Sequence, residues 1–177
     1  DGFATGVTVG GPSEGLESAF RPHFFDGVAL VVTKLLLAAL PDVAIFGEKD
    51  YQQLCVVKRM VRDLNIPTEI IGAPTVREPD GLAMSSRNVY LSPDERETAT
   101  SLPAILRNAI ERLGQGEDAH DVLPLSRQEL EERGFKVDYL ELRDGETLGP
   151  VTEDTQCRRI LVAVWLGKTR LIDNMAA

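Results

Sequence analysis

Apolar positions in the first half of the chain alternate between strand-like and helix-like groupings. Gly6-Val7-Thr8-Val9-Gly10 reads as a short strand running into a Gly-rich loop, Gly10-Gly11-Pro12. Val28, Val31, Val32, Leu35 and Leu36 recur at helical spacing, which predicts a helix from Phe24 or Phe25 to Leu40, ended by Pro41. Val43-Ala44-Ile45-Phe46 is a continuous apolar run, the pattern of a parallel strand buried on both faces. After Gly47, Asp50 is the expected N-cap of a helix carrying Leu54, Val57, Met60, Val61 and Leu64 on one face. Pro67 stops that helix, and Glu69-Ile70-Ile71-Gly72 reads as the next strand. Strands and helices alternating through short loops describe an open parallel α/β sheet. Three strands make an incomplete sheet, and the chain opens on Asp1 just before the first of them, so it is expected to begin inside a domain.

The pattern changes after Arg77. Ser92-Pro93-Asp94-Glu95 is a helix start: a Ser cap, Pro at the first position and acids near the positive end of the dipole. The helix is expected to reach Gly114, with Pro103 kinking or splitting it, and a second to span Val122 to Glu132, ended by Arg133-Gly134. Strand-like stretches follow at Lys136 to Leu142, Ile160 to Leu166 and Arg170 to Asn174, the last two joined by a two-residue turn, Gly167-Lys168. Helices followed by a small antiparallel sheet predict a separate α+β domain, with the boundary near residues 76–80.

Composition narrows the function classes. The chain has 177 residues, 43% hydrophobic and 27% charged, an ordinary globular mixture. A net charge of −9 argues against non-specific nucleic-acid binding, which relies on a basic surface, but leaves room for a phosphate-bearing small molecule held by a few local cations. Cys55, Cys157, His23 and His120 have no metal-ligand spacing, and a reduced, cytoplasmic protein is the expectation. The apolar run from Val28 to Leu40 is interrupted by Lys34 and is shorter than the ~20 residues of a membrane span, so no membrane association is expected.

Two stretches carry candidate chemistry. Gly47-Glu48-Lys49-Asp50 lies between a strand and a helix, where ligands of open α/β sheets bind. A helix N-terminus there offers N–H groups to an anion, Lys49 adds a mobile cation, and Gln53 sits one turn past Lys49. A solvated loop with a helix cap is the plain alternative. Asp80-Gly81-Leu82-Ala83-Met84-Ser85-Ser86-Arg87-Asn88 sets two hydroxyls and a guanidinium after a Gly turn, a donor set suited to phosphate. Its plain alternative is a serine cap with a surface arginine. Gly167-Lys168-Thr169 lacks the upstream glycine of a P-loop, since Val162 holds that place, and reads as a turn. Glu129, Glu131 and Glu132 read as a solvated helix face.

Together these pieces resemble the pantothenate synthetase (pantoate–β-alanine ligase) family, seen as its C-terminal part. The resemblance rests on Arg21-Pro22, on Phe46 to Asp50 with Gln52-Gln53-Leu54, on Val76 to Asn88 with Tyr90-Leu91-Ser92, and on Thr169 to Asn174. It implies a Rossmann-like nucleotidyltransferase domain, here residues 1–76, and a small α+β lid domain, residues 77–177. It also implies an AMP-forming ligase, homodimeric when complete, that joins pantoate to β-alanine through pantoyl-adenylate, with ATP as substrate and Mg²⁺ as cofactor. Gly47, Glu48, Lys49 and Asp50 then correspond to an ATP-binding loop and Gln53 to a pantoate-binding glutamine. Val76 corresponds to a backbone contact to adenine, and Met84, Ser85, Ser86 and Arg87 to a mobile ATP-binding loop delivered by domain closure. Lys49, Ser85, Ser86 and Arg87 are the implied catalytic groups, because in-line displacement at phosphorus needs charge stabilisation on phosphate oxygens.

Two departures from the family pattern matter. No His-x-Gly-His motif is present, and neither His23 nor His120 has that spacing, so the chain by itself is expected to have little or no ligase activity. Where the family reads Arg-Pro-Gly-His-Phe, this chain reads Arg21-Pro22-His23-Phe24-Phe25, with Phe24 in the usual place of the histidine. The alternatives are a non-catalytic remnant that at most binds nucleotide, and an adenylyl- or cytidylyltransferase of related fold.

Overall fold

The computed structural model describes residues 4–177. By its internal contacts the chain forms two units, one of Asp1–Pro74 with Thr147–Gly149, the other of Thr75–Glu146 with Pro150–Ala177.

The first unit is a short βαβ arrangement with helices before it. A four-residue helix α1 (Glu17–Phe20) precedes α2 (Phe24–Ala39). Leu40 closes α2 in the left-handed region, its N–H bonded back to Leu36 O at 2.8 Å, and Pro41 cannot continue the helix. Strand β1 (Val43–Gly47), a 3-10 turn (Glu48–Asp50), α3 (Tyr51–Asp63) and β2 (Glu69–Ala73) follow. β1 and β2 pair in parallel from Val43 opposite Glu69 to Gly47 opposite Ala73. The unit's core joins Phe25, Ala29, Val32 and Leu36 of α2 to Val56, Val57, Met60 and Val61 of α3.

Several expectations for this unit are corrected. Val7 to Val9 forms no ladder among the described residues, so the parallel sheet there has two strands and not three; Val9 is buried by packing alone. Strand β1 is not buried on both faces: Val43 is 43% and Ile45 69% exposed, because only the Ala44 and Phe46 side packs on the helices. In α2 the buried stripe runs through Phe25, Ala29, Val32, Thr33 and Leu36, while Val31 and Leu35 are exposed. A helix apolar nearly all round gives its sequence no way to say which stripe faces inward. Leu64 is exposed just beyond the end of α3, which closes at Asp63 with Asn65 left-handed.

The second unit packs helices on an antiparallel sheet. Helices α4 (Pro93–Ala99), α5 (Ser101–Gly114) and α6 (Ala119–Glu132) precede β3 (Lys136–Asp144), β4 (Arg158–Leu166) and β5 (Thr169–Ala176). The strand order is β3-β4-β5, with Leu166 opposite Thr169 across the tight turn. Gly167 adopts the positive φ that such a turn requires. The break at Thr100 has a simple cause. Pro103 lacks an N–H and its ring crowds the carbonyl of Ala99, so the ladder restarts one turn upstream of it. Ser92 and Glu95 form the complete capping box at the start of α4. α6 begins three residues earlier than Val122, because the Asp118 side chain caps it by accepting from His120 N at 2.8 Å. Ile160, Val162 and Val164 of the central strand meet Leu102, Leu106 and Leu130 of the helices in one core.

Candidate functional site

Each group of predicted residues is positioned by its own unit. In the first, Gly47 is the last residue of β1, and Glu48, Lys49 and Asp50 make the 3-10 turn that leads into α3. Glu48 and Lys49 are half-buried, and Gly47 and Asp50 exposed. Asp50 stands at the N-cap position of α3 but makes no side-chain capping bond, which corrects its predicted role. The first-turn N–H groups of α3 are therefore not closed by that carboxylate. Gly72 of β2 explains where Glu48 goes: a Cβ there would lie 2.9 Å from Leu54 Cδ2 and 3.1 Å from Glu48 Oε1. The missing side chain is what allows Glu48 to fold over the end of β2.

Gln52 and Gln53 have opposite surroundings. Gln52 is 4% exposed and holds the Gly-rich loop: its Oε1 accepts from Glu17 N at 3.0 Å, and its Nε2 donates to Pro12 O at 3.0 Å and Gly15 O at 3.3 Å. Gln53, the third residue of α3, is only half-buried. The buried amide of Gln52 is structural, and Gln53 beside it is the more exposed of the two. Sequence reading named Gln52 only as part of the Gln52-Gln53-Leu54 motif and gave it no role; a polar residue among apolar helix positions was the local signal of its clamp.

At the departure from the family pattern, Phe24 is half-buried with the Arg21 guanidinium stacked 3.6 Å from its ring centroid. His23, in the left-handed conformation, is solvent-facing and lies 3.3 Å from Asp26 Oδ2. The displaced histidine does not occupy the place that Phe24 fills.

In the second unit, residues 76–84 form a small hairpin. Met84 N donates to Val76 O at 2.9 Å, Glu78 N to Leu82 O at 2.8 Å, and Arg77 bridges Ala83. Asp80 shapes the turn, accepting from Leu82 N at 3.1 Å and pairing with Arg96 at 2.7 Å. That backbone N–H, with Arg96, holds the Asp80 carboxyl below the ordinary aspartate range. Met84, Ser86 and Arg87 are exposed and Ser85 half-buried. Ser85 caps the 3-10 turn Ser86–Tyr90, its Oγ accepting from Arg87 N at 3.2 Å. The plain reading of a serine cap is thus realised for Ser85. A hydroxyl that accepts still has its own hydrogen to donate, so the cap leaves the phosphate role open. Asn88 ties this turn to the hairpin through Ala83 O at 3.1 Å. Among the described residues no group of three or more His, Cys, Asp or Glu is placed to hold a metal ion. No helix of the described residues is long and apolar enough to cross a membrane.

A parallel βαβ unit with a Gly-Glu-Lys-Asp turn after its first strand, and a unit of helices on a small antiparallel sheet, define an α/β protein of the nucleotidyltransferase fold. The comparisons make the assignment specific. The family model for Pantoate-beta-alanine ligase matches residues 2–176, and the chain belongs to that family. A pantothenate synthetase of Mesorhizobium japonicum is 56% identical over 98% of this chain and 62% of its own length. One from Caulobacter vibrioides is 55% identical over 99% of this chain and 63% of its own. Among solved structures, pantothenate synthetase from Thermus thermophilus aligns with a TM-score of 0.91 and 48% identity, over 99% of this chain and 64% of that one. Pantoate-beta-alanine ligase from Francisella tularensis, complexed with beta-gamma ATP and β-alanine, aligns at 0.77 and 34% identity, over 99% of this chain and 59% of that one. The chain thus spans a little under two thirds of the length of these relatives.

Proposed function

We propose that this chain is part of an enzyme that joins pantoate to β-alanine at the expense of ATP, giving pantothenate, AMP and pyrophosphate. The observation that carries the reading is the Gly47–Asp50 turn, set between a parallel strand and a helix N-terminus in a chain that the ligase family matches from residue 2 to residue 176. The family's name supplies the acid and the amine, and the Francisella tularensis complex supplies ATP.

In the proposed chemistry a pantoate carboxylate oxygen attacks the α-phosphorus and pyrophosphate leaves. The β-alanine nitrogen then attacks the acyl carbon, loses its proton, and AMP departs. No protein nucleophile is needed, so the protein's part is to position the reactants and stabilise charge. Lys49, with the first-turn N–H groups of α3, is assigned to phosphate oxygens, and Gln53 to pantoate. Val76 is assigned to adenine through its backbone. The Val76 carbonyl already accepts from Met84 N, so a second lone pair or the N–H serves that contact. Met84 lies against the nucleotide, and Ser85, Ser86 and Arg87 bind its phosphates. Mg²⁺ would be held by the phosphate oxygens of ATP and by water, with no protein ligand assigned to it, and Gly47, Glu48 and Asp50 are assigned with Lys49 to the ATP-binding loop. Residues 1–76 are the proposed ATP- and pantoate-binding domain, residues 77–177 the proposed lid, and a cytoplasmic homodimer the proposed form of the full-length enzyme.

The test is turnover by the full-length protein with labelled pantoate, β-alanine and Mg-ATP. Pantothenate and AMP should form in equal amounts, and only with all three substrates. Release of ADP in place of AMP, or no dependence on β-alanine, would refute the reading.

A further inference from the structure

The Arg77 guanidinium forks onto Asp173 of β5, Nη1 donating to Oδ2 at 2.7 Å and Nη2 to Oδ1 at 2.9 Å. Nη1 also donates to Gly81 O at 3.0 Å and Nη2 to Asn174 O at 3.4 Å. The Asp173 side chain is 1% exposed and its Oδ1 takes a further bond from Asn174 N at 2.7 Å. A buried carboxylate is costly unless paired and hydrogen-bonded, and here every demand is met. The sheet itself has no need of this charge, because β5 pairs with β4 through backbone bonds. What the ion pair adds is a rigid attachment of the 76–84 hairpin to the sheet. One arm of that hairpin is Val76; the other ends at Met84 and runs into Ser85, Ser86 and Arg87.

We infer that Arg77 and Asp173 are positioning residues for ATP: their bidentate pair sets the hairpin on the sheet and so fixes the spacing between the Val76 backbone and the Ser85–Arg87 donors. The inference rests on the nucleotide role proposed above for those residues. Neither Arg77 nor Asp173 needs to touch the nucleotide.

The informative variant is Arg77→Lys in the full-length protein. Lysine keeps the charge beside Asp173 but cannot make the fork or reach Gly81 O at the same time. Its half-saturating ATP concentration should rise about tenfold or more, as small misplacements of binding groups do, with that for pantoate changed less than about twofold. Amide exchange at Glu78 and Met84 should quicken about tenfold while Val162 and Val164 stay protected. ATP affinity in the variant equal to that of the unaltered protein overturns the inference. So do unaltered Glu78 and Met84 exchange rates, and so does an equal loss of affinity for both substrates. Failure of the unaltered protein to bind Mg-ATP in calorimetry instead removes the nucleotide reading on which the inference stands. If the variant does not fold, the unaltered protein decides: Mg-ATP should slow exchange at Glu78 and Met84, and no slowing overturns the inference.

Discussion

Lys49 and Gln52 show how differently neighbouring polar residues are used. Gln52 spends both ends of its amide on the Pro12–Glu17 loop and is sealed from solvent. Lys49 lies in the turn ahead of α3, with a cation on a flexible stem at the end of a strand. Under the proposed chemistry Lys49→Ala should lower kcat/KM in the full-length enzyme by about 2–4 kcal/mol of transition-state stabilisation, as loss of an oxyanion donor does elsewhere. Steady-state kinetics check it, and an unchanged kcat/KM removes Lys49 from the reaction. Lys49, Gln53, Ser85, Ser86 and Arg87 were legible as candidates because polar groups in a turn or in the first turn of a helix keep their sequence neighbours. Arg77 and Asp173 were not, because 96 positions separate them and only the folded chain makes them a pair. The available signal was a carboxylate two positions from Leu171 and from Met175 along a strand, and so on their face, which calls for a partner without naming it.

At the scale of elements, local chemistry was a reliable guide at the breakers and at the Ser92 cap, though not at Asp50, whose side chain makes no capping bond. The Ser92-Pro93-Asp94-Glu95 start formed its capping box, with Ser92 N donating to Glu95 Oε2 at 2.8 Å and Glu95 N to Ser92 Oγ at 3.2 Å. That box has a second contact, since Glu95 Oε1 occupies the space a Cβ on Gly167 would need. Ser92→Ala should therefore destabilise the second unit by about 0.5–2 kcal/mol, as loss of a helix N-cap does. Chemical denaturation followed by Trp165 fluorescence reads this directly, and a midpoint within error of the unaltered protein would contradict it. Reading was least reliable for strands. Val7 to Val9 has strand composition but no ladder, since a strand is defined by its partner and not by its own residues.

For the molecule as a whole, the two units have separate apolar clusters, one between α2 and α3 and one between the sheet β3-β4-β5 and helices α5 and α6. Leu106 is fully buried in the second cluster, so Leu106→Ala should cost that unit about 2–5 kcal/mol through lost transfer energy and a residual cavity. The same denaturation experiment measures it, and a loss below about 1 kcal/mol would mean that the site collapses to fill the space.

By itself the sequence determined the succession of the main elements from α2 onward, the change from parallel α/β to helices on an antiparallel sheet, the Ser92 cap, the Gly167-Lys168 turn, and the family. All of these depend on spacing, Pro and Gly, or contiguous motifs, which are local along the chain. Tertiary structure alone decided which stripe of α2 and which face of β1 is buried, that Gln52 and not Gln53 clamps the Gly-rich loop, and that Arg77 finds Asp173. Those outcomes turn on what stands opposite a residue in space, and a residue's own chemistry states only that something must.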